Sequence, residues 1–408
     1  MWTRYVAVLV FAAAGTIGPA TADGAPPPKG ACLNPASAGQ TVRQVPWADN
    51  LLGAERAWPF STGAGVLVAV VDSGVDSDHP QLAKPGKVLP GYDFIRHWPY
   101  ADFDCISHGT AVTSIIAADT EPGIGFHGVA PGARILPLRV SEAEPDDNGT
   151  GAAVNPRVFA KAICYAADQG ARVINLSVVM YQDVPAVRDA VRYAQAKGAL
   201  LVAAAGNQHQ DTGGDATPYP AAYPGVIGVG AITIDGSRLP ASQVGPYVDL
   251  VAPGGGVLAA TREHGYVYWD GTSFATPFVS GAAALVRAEY PRLTAAQVTS
   301  RLLATADPAP GGPDSAAYGH GVVDPYRAVT ESLDGANPAA AQAPLVKPTP
   351  DLAAQRRVAQ SRHRAASAGR IVVYALLIVS GVLLIAVVRP FRRRRPTAAP
   401  PADGNWRS

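Results

Sequence analysis

The sequence predicts an α/β fold, a central parallel sheet covered by helices on both faces. Three observations predict it. Uninterrupted apolar runs recur along the chain, as strands buried on both faces require. Stretches of helix length separate them, which supplies the long crossovers that parallel pairing needs. The composition supplies the core: of 408 residues, 48% are hydrophobic and 16% charged, too apolar for a mostly disordered chain.

The elements follow in order. VLVAVV (66–71) is the first strand, and ARILPLRV (133–140), ARVINLSVV (171–179) and ALLVAAAG (199–206) repeat its pattern. VIGVGAI (226–232) and VDLVAP (248–253) complete the set. Helices are expected at 108–118, 155–168, 184–197, 272–289 and 294–304. The second and third stop at Gly170 and Gly198, and glycine most easily takes the left-handed conformation that ends a helix. In sheets of this kind active sites gather beyond the carboxyl ends of the strands.

Two further segments set the address. Arg4, the short apolar run YVAVLVFAAA (5–14) and Ala20-Thr21-Ala22 make residues 1–22 a secretory signal peptide. Residues 371–388, IVVYALLIVSGVLLIAVV, carry no charge. At 1.5 Å per residue they reach about 27 Å, enough to cross a hydrocarbon core of about 30 Å as one transmembrane helix. Arg370 and Arg389 at its ends can reach the headgroups. Arginines before and after the span balance, so the positive-inside count does not orient it; the signal peptide does, by exporting what precedes the span. The chain then divides into an N-terminal extension (23–45), a folded domain (46–333), an Ala/Pro-rich then basic linker (334–370), the span, and an Arg-rich cytoplasmic tail (389–408). The expected location is the cell membrane, single-pass, with the folded domain outside.

Other classes are excluded. Lys and Arg total 33 against 32 Asp and Glu, so no nucleic-acid partner is expected. Three cysteines rule out a small disulfide-dense scaffold. No HExxH or paired zinc spacing occurs. His79 with Asp76 and Asp78 reads as a polar loop, and EAEPDDNGTG (142–151) as a solvated surface loop, so neither a metal nor another cofactor is expected.

Three residues carry chemistry. Asp72 follows the first strand, His108 opens a helix beside Gly109, and Ser273 opens the apolar helix of DGTSFATPFVSGAAALV. Alone, each reads as a turn or cap residue. Together, in the order Asp, His, Ser, they are the components of a nucleophilic triad. An α/β-hydrolase would run Ser, Asp/Glu, His, and its G-x-S-x-G elbow fails here because Gly271-Thr272-Ser273-Phe274-Ala275 ends in Ala.

VAVVDSGVD, HGT, GVAPGARILPLRV, VINLS and GTSFATP, in that order, resemble the subtilases, the subtilisin-like serine proteases, over roughly residues 47–333. The lead-in PWADNLLGAERAWPFSTGAGVLVAVVDSGVD, GTSFATPFVSG and the layout of signal, protease, Pro-rich linker and single span resemble the mycosins, membrane-anchored subtilases of actinobacterial type VII secretion. The resemblance implies a subtilisin-like three-layer fold and a serine endopeptidase. It implies His108 as general base, Asp72 as its orienter and Ser273 as nucleophile. Asn207, at the end of LLVAAAGN, matches the oxyanion asparagine, with the Ser273 backbone N–H as second donor. An extended polypeptide substrate would add as a strand beside Ser177, Val178 and Val179. Val179 stands where subtilases often have Gly, which narrows the cleft. Phe274 and Phe278 read as core packing.

Connectivity does not follow from three cysteines; the mycosin resemblance favours Cys32 with Cys105, leaving Cys164 as a buried free thiol. The extension is much shorter than a self-folding propeptide and reads as a wrapped arm, with the mature N-terminus near Asp23. The expected partners are the substrate, the membrane and a type VII secretion complex. The alternative function is a non-catalytic component stabilising that complex.

Overall fold

The computed structural model describes residues 32, 35–142, 154–210, 214–312 and 315–333. The expected signal peptide, linker, span and tail lie outside the described residues, as do most of the acidic loop and the start of the extension. Among the described residues no helix is long and apolar enough to cross a membrane.

Seven strands form one sheet in the order β2-β3-β1-β4-β5-β6-β7, every neighbouring pair parallel. They are β1 (Leu67–Asp72), β2 (Tyr92–Asp93), β3 (Arg134–Arg139), β4 (Val173–Leu176), β5 (Leu200–Ala204), β6 (Val226–Ile232) and β7 (Leu250–Pro253). The continuous apolar runs have the expected cause. Val68 and Val70 face one core and Ala69 and Val71 the other, because successive strand residues point to opposite faces. The first core packs on α2 (His108–Ala117) and α5 (Thr272–Glu289), the second on α3 (Pro156–Asp168) and α4 (Pro185–Ala196). Helix α6 (Ala295–Ala304) follows α5, starting on a capping box of Thr294 and Gln297.

Expected and observed boundaries agree to a few residues. Gly170 and Gly198 do take positive φ, 78° and 84°. The strand expected at 171–179 is shorter, because beyond Leu176 the chain leaves the sheet to meet α5. The edge strand β2, a short helix, α1 (Trp47–Leu52), a hairpin of β8 (Val257–Ala260) and β9 (Tyr266–Trp269), and α7 (Pro325–Thr330) were not expected.

The hairpin receives the arm. Gln40 and Tyr266 exchange backbone hydrogen bonds of 3.1 and 2.9 Å, and the Gly39 N–H reaches the Thr261 hydroxyl at 2.7 Å. A Cβ on Gly39 would sit 2.4 Å from the Tyr266 nitrogen, so only glycine lets the two backbones approach. Cys32 and Cys105 form a disulfide across 73 residues of sequence. Cys164 is free, but half-buried where a buried thiol was expected; burial still pushes its pKa up, which keeps it protonated and unreactive.

Asp49 on α1 is buried and accepts a hydrogen bond from the His127 backbone N–H at 3.3 Å. Burial pushes its carboxyl up to about 8; that hydrogen bond pulls the other way and Glu55 adds to the rise. The fold therefore holds the protonated form more readily than the unfolded chain does. The contribution is complete below about pH 4 and is lost as the pH rises to about 8. Melting temperatures taken between about pH 5 and 8 should fall with pH in the native chain. Asp49→Asn, neutral throughout, should flatten that slope.

Candidate active site

Chain order reverses at β1. From there the sheet grows through β3 to one side and through β4 to the other, and crevices form outside the strand ends at such a switch point. Asp72 is the last residue of β1, Ser177 directly follows β4, and Asn207 lies just beyond β5.

Asp72 and His108 meet there. The His108 Nδ1 lies 2.7 Å from Asp72 Oδ1, and both side chains are buried. A carboxylate only accepts, so Nδ1 carries the proton and Nε2 keeps the basic lone pair. The Ser73 backbone N–H donates to the same Asp72 oxygen at 2.7 Å. Gly109 makes the approach of α2 to β1 possible: a Cβ there would sit 2.0 Å from the Gly74 carbonyl and 3.2 Å from Asp72 Cβ.

Asp104 organises the surroundings. Its Oδ1 accepts from the Ser73 hydroxyl and the Ile106 N–H at 3.0 Å each. Its Oδ2 accepts from the Thr110 backbone at 2.9 Å and hydroxyl at 2.8 Å. The Ser73 hydroxyl in turn receives the Gly109 N–H at 2.9 Å. Burial pushes the Asp104 pKa up, the Thr110 hydrogen bonds oppose this, and the Asp72 charge adds to it. Fully buried Arg139 donates to the Ser73 carbonyl at 3.1 Å and pairs with buried Asp93 at 2.8 Å. Asp104 and Arg139 thus hold the turn that presents Asp72. Ser107, just before His108, sits at φ 70°, and its hydroxyl accepts the Arg262 N–H at 3.0 Å.

Ser273 is the second residue of α5, whose N-cap is Gly271 and which has no side-chain cap. Its hydroxyl therefore does no capping, unlike the usual serine at a helix start. It donates instead to the Ser177 carbonyl at 3.1 Å, while the Ser177 hydroxyl donates to the Ser273 carbonyl at 2.9 Å. Asn175 Nδ2 donates to the Ser177 hydroxyl at 3.0 Å, and Ser280 donates to Asn175 Oδ1 at 2.8 Å. These buried polar groups satisfy one another and join β4 to α5. Phe274 packs on the His108 ring at 5.1 Å and stacks on Trp269 at 4.9 Å. It belongs to the core as expected, and it also walls the imidazole.

Asn207 Oδ1 accepts from the Thr272 N–H at 2.8 Å and the Thr272 hydroxyl at 3.0 Å. An N–H only donates, so the amide oxygen must face Thr272 and Nδ2 points away from it. Gly271, at φ 136°, leaves the space: a Cβ there would come within 3.0 Å of Asn207 Nδ2. Val178 is buried and Val179 half-buried beside this crevice wall, and the following residue, Met180, exchanges backbone hydrogen bonds of 2.8 and 2.7 Å with Tyr219.

The structure brings Asp72 to His108, Ser273 to Ser177 and Asn207 to Thr272; sequence reading missed the residues that hold them: Ser73, Asp104, Arg139, Asn175 and Ser280. A signal for the last existed. Ser280 is a polar residue in the middle of an apolar helix, which calls for a buried partner. Chemically, a buried carboxylate–imidazole pair and a serine at a helix start can activate a hydroxyl for attack on an acyl carbon.

Comparisons with known proteins show the family. The model of the subtilase family matches residues 63–321. Mycosin-1 of Mycobacterium tuberculosis is 36% identical over 378 residues, 78% of this chain and 82% of the relative. Thermitase of Thermoactinomyces vulgaris is 37% identical over 276 residues, 68% of this chain and 92% of the relative. Among solved structures, MycP1 from Mycobacterium smegmatis superposes with a TM-score of 0.65 at 32% identity, covering 77% of this chain and 92% of that one.

The close approach at Gly109 is testable. Gly109→Ala forces the Gly74 turn back and should cost about 1–3 kcal/mol. Thermal melting should show that loss, and hydrolysis of an extended peptide should fall at least tenfold as His108 shifts from Asp72. Unchanged activity would mean the turn yields without moving the imidazole.

Proposed function

The chain belongs to the subtilase family, as a serine endopeptidase similar to the mycosins, and we propose that Asp72, His108 and Ser273 are its catalytic residues, with Asn207 in the oxyanion hole. The observation that carries this reading is the 2.7 Å contact of Asp72 with His108 Nδ1, beside a helix start that presents Ser273.

The proposed steps are those of acyl transfer through a serine. The Ser273 hydroxyl turns from the Ser177 carbonyl to His108 Nε2 as substrate enters. Nε2 takes its proton while Oγ bonds to the scissile carbonyl carbon. Asp72 holds the imidazole in the needed tautomer and stabilises the imidazolium. The oxyanion accepts from Asn207 Nδ2 and from the Ser273 backbone N–H at the α5 N-terminus. His108 then protonates the leaving amine and the C–N bond breaks; water, deprotonated by the same base, attacks the acyl carbon, the bond to Ser273 Oγ breaks, and the proton returns to that oxygen as the acid leaves. An extended polypeptide lies along Ser177–Val179 by strand addition, and the Val179 side chain narrows that side of the cleft.

The same reading places the domain outside the cell, exported by residues 1–22 and held by a single span at 371–388, with the tail inside. The solved MycP1 relatives are described as coming from, and as an essential component of, the ESX-1 type VII secretion system. By that likeness a type VII complex is the proposed partner here, and exported polypeptides are the proposed substrates.

A fluorophosphonate reagent tests the nucleophile. Peptide mapping should place the adduct on Ser273, and Ser273→Ala should take up no label. An adduct elsewhere overturns the assignment. Asn207→Ala should keep KM near native and lower kcat on the order of 10²–10³-fold.

A further inference from the structure

At the opposite end of the sheet from His108 the fold opens into a second cleft, of about 790 Å³. It lies under the N-terminal ends of β4, β5 and β6, between α4, the end of α5 and the start of α6. Six cations line it: Arg172, Arg188, Arg192, Lys197, Arg287 and Arg292. Among the described residues no aspartate or glutamate does. Between the charges the wall is apolar, with Val191, Tyr223 and Leu293.

The six are not equivalent. Arg188, Arg192 and Lys197 have carboxylates beside them, Asp183, Asp189 and Asp168, all outside the lining. Among the described residues Arg172, Arg287 and Arg292 have no carboxylate partner. Arg287, in the last turn of α5, is 3% exposed. Its Nη1 and Nη2 donate to the carbonyls of Leu293 at 3.3 Å and Gly198 at 2.9 Å, and its Nε has no partner among the described residues. Carbonyl dipoles solvate this cation but do not neutralise it. Burial, with Arg172 nearby, pushes its pKa down to about 10, so it remains charged near neutrality. Thr294, Ala295 and Ala296 also line the cleft, which adds the positive end of the ten-residue α6 to the same space.

We propose that this cleft is a second binding site, separate from the catalytic crevice, for an acidic segment of a polypeptide. Glutamate or aspartate carboxylates meet exposed Arg172 and Arg292, whose planar forks match them bidentately, buried Arg287 adds its charge from beneath, and an aliphatic or aromatic side chain lies on Leu293 and Tyr223. The apolar wall selects a polypeptide over a phosphate polymer, which offers nothing to cover it. The ligand lies clear of the reacting atoms: Ser273 and Arg287 both belong to α5, about 21 Å apart along its axis at 1.5 Å per residue.

The test uses the intact chain in detergent, carrying Ser273→Ala so that the probe stays whole. The probe is a fluorescein-labelled peptide of four Glu-Leu repeats, followed by anisotropy. Saturable binding is expected, weakening as salt rises, with no binding of the matching Lys-Leu peptide. Arg172→Glu with Arg292→Glu, both exposed positions, should weaken it at least tenfold with the melting temperature kept. Should that pair misfold, Arg292→Gln alone should weaken it about threefold. No saturable binding overturns the proposal, as does equal binding by the variants. Tighter binding of tripolyphosphate, or of phosphatidylglycerol vesicles, overturns the polypeptide as occupant.

Discussion

The hydrogen bond between Asp72 and His108 Nδ1 is the contact on which the rest of the site depends. It joins the end of a buried strand to the first residue of a helix, and both partners are out of water. Buried polar groups are costly unless satisfied, and the surroundings meet that condition for Asp72 Oδ1, while Asp72 Oδ2 has no hydrogen-bond partner among the described residues. Ser73 donates to the carboxylate, Asp104 gathers Ser73 and Thr110, and Arg139 holds the Ser73 carbonyl. The Cys32–Cys105 disulfide sits next to Asp104 in the chain, so the arm, the turn before α2 and the imidazole belong to one braced unit.

Helix α5 is the second organising element. Its first turn presents Ser273, and Thr272 beside it fixes the amide of Asn207 through Oδ1. Its middle reaches β4 through Ser280 and Asn175. Its last turn carries Arg287 to the far cleft. One helix therefore reaches both ends of the sheet, with the proposed nucleophile in its first turn and the buried cation in its last.

Much of this was legible in the sequence. Strands buried on both faces have to read as continuous apolar runs, so 66–71, 133–140, 199–206 and 226–232 could be found without neighbours. Helix ends marked by Gly170 and Gly198 could be found for the same kind of reason. The residues Asp72, His108 and Ser273 were visible as a set because their order and flanking motifs are informative together. What was hidden depends on pairing across the fold. Asp104 and Arg139 look like ordinary surface charges until the turn after β1 closes on them. The hairpin β8–β9 was missed because its strands are short and its partner, the arm, lies far away in sequence. The strand at 171–179 was overextended because a local pattern cannot show where Ser177 turns toward Ser273. The six cations of the far cleft are scattered from Arg172 to Arg292, and a balanced net charge concealed them.

The central claim is that Asp72 acts by holding the His108 imidazole, and steady-state kinetics of Asp72→Asn on an extended peptide tests it most directly. An amide of the same shape can donate to Nδ1 and stabilise the wrong tautomer. The account predicts that kcat drops on the order of 10⁴-fold while KM stays within a few-fold of native. A variant keeping more than a tenth of the native kcat would contradict it.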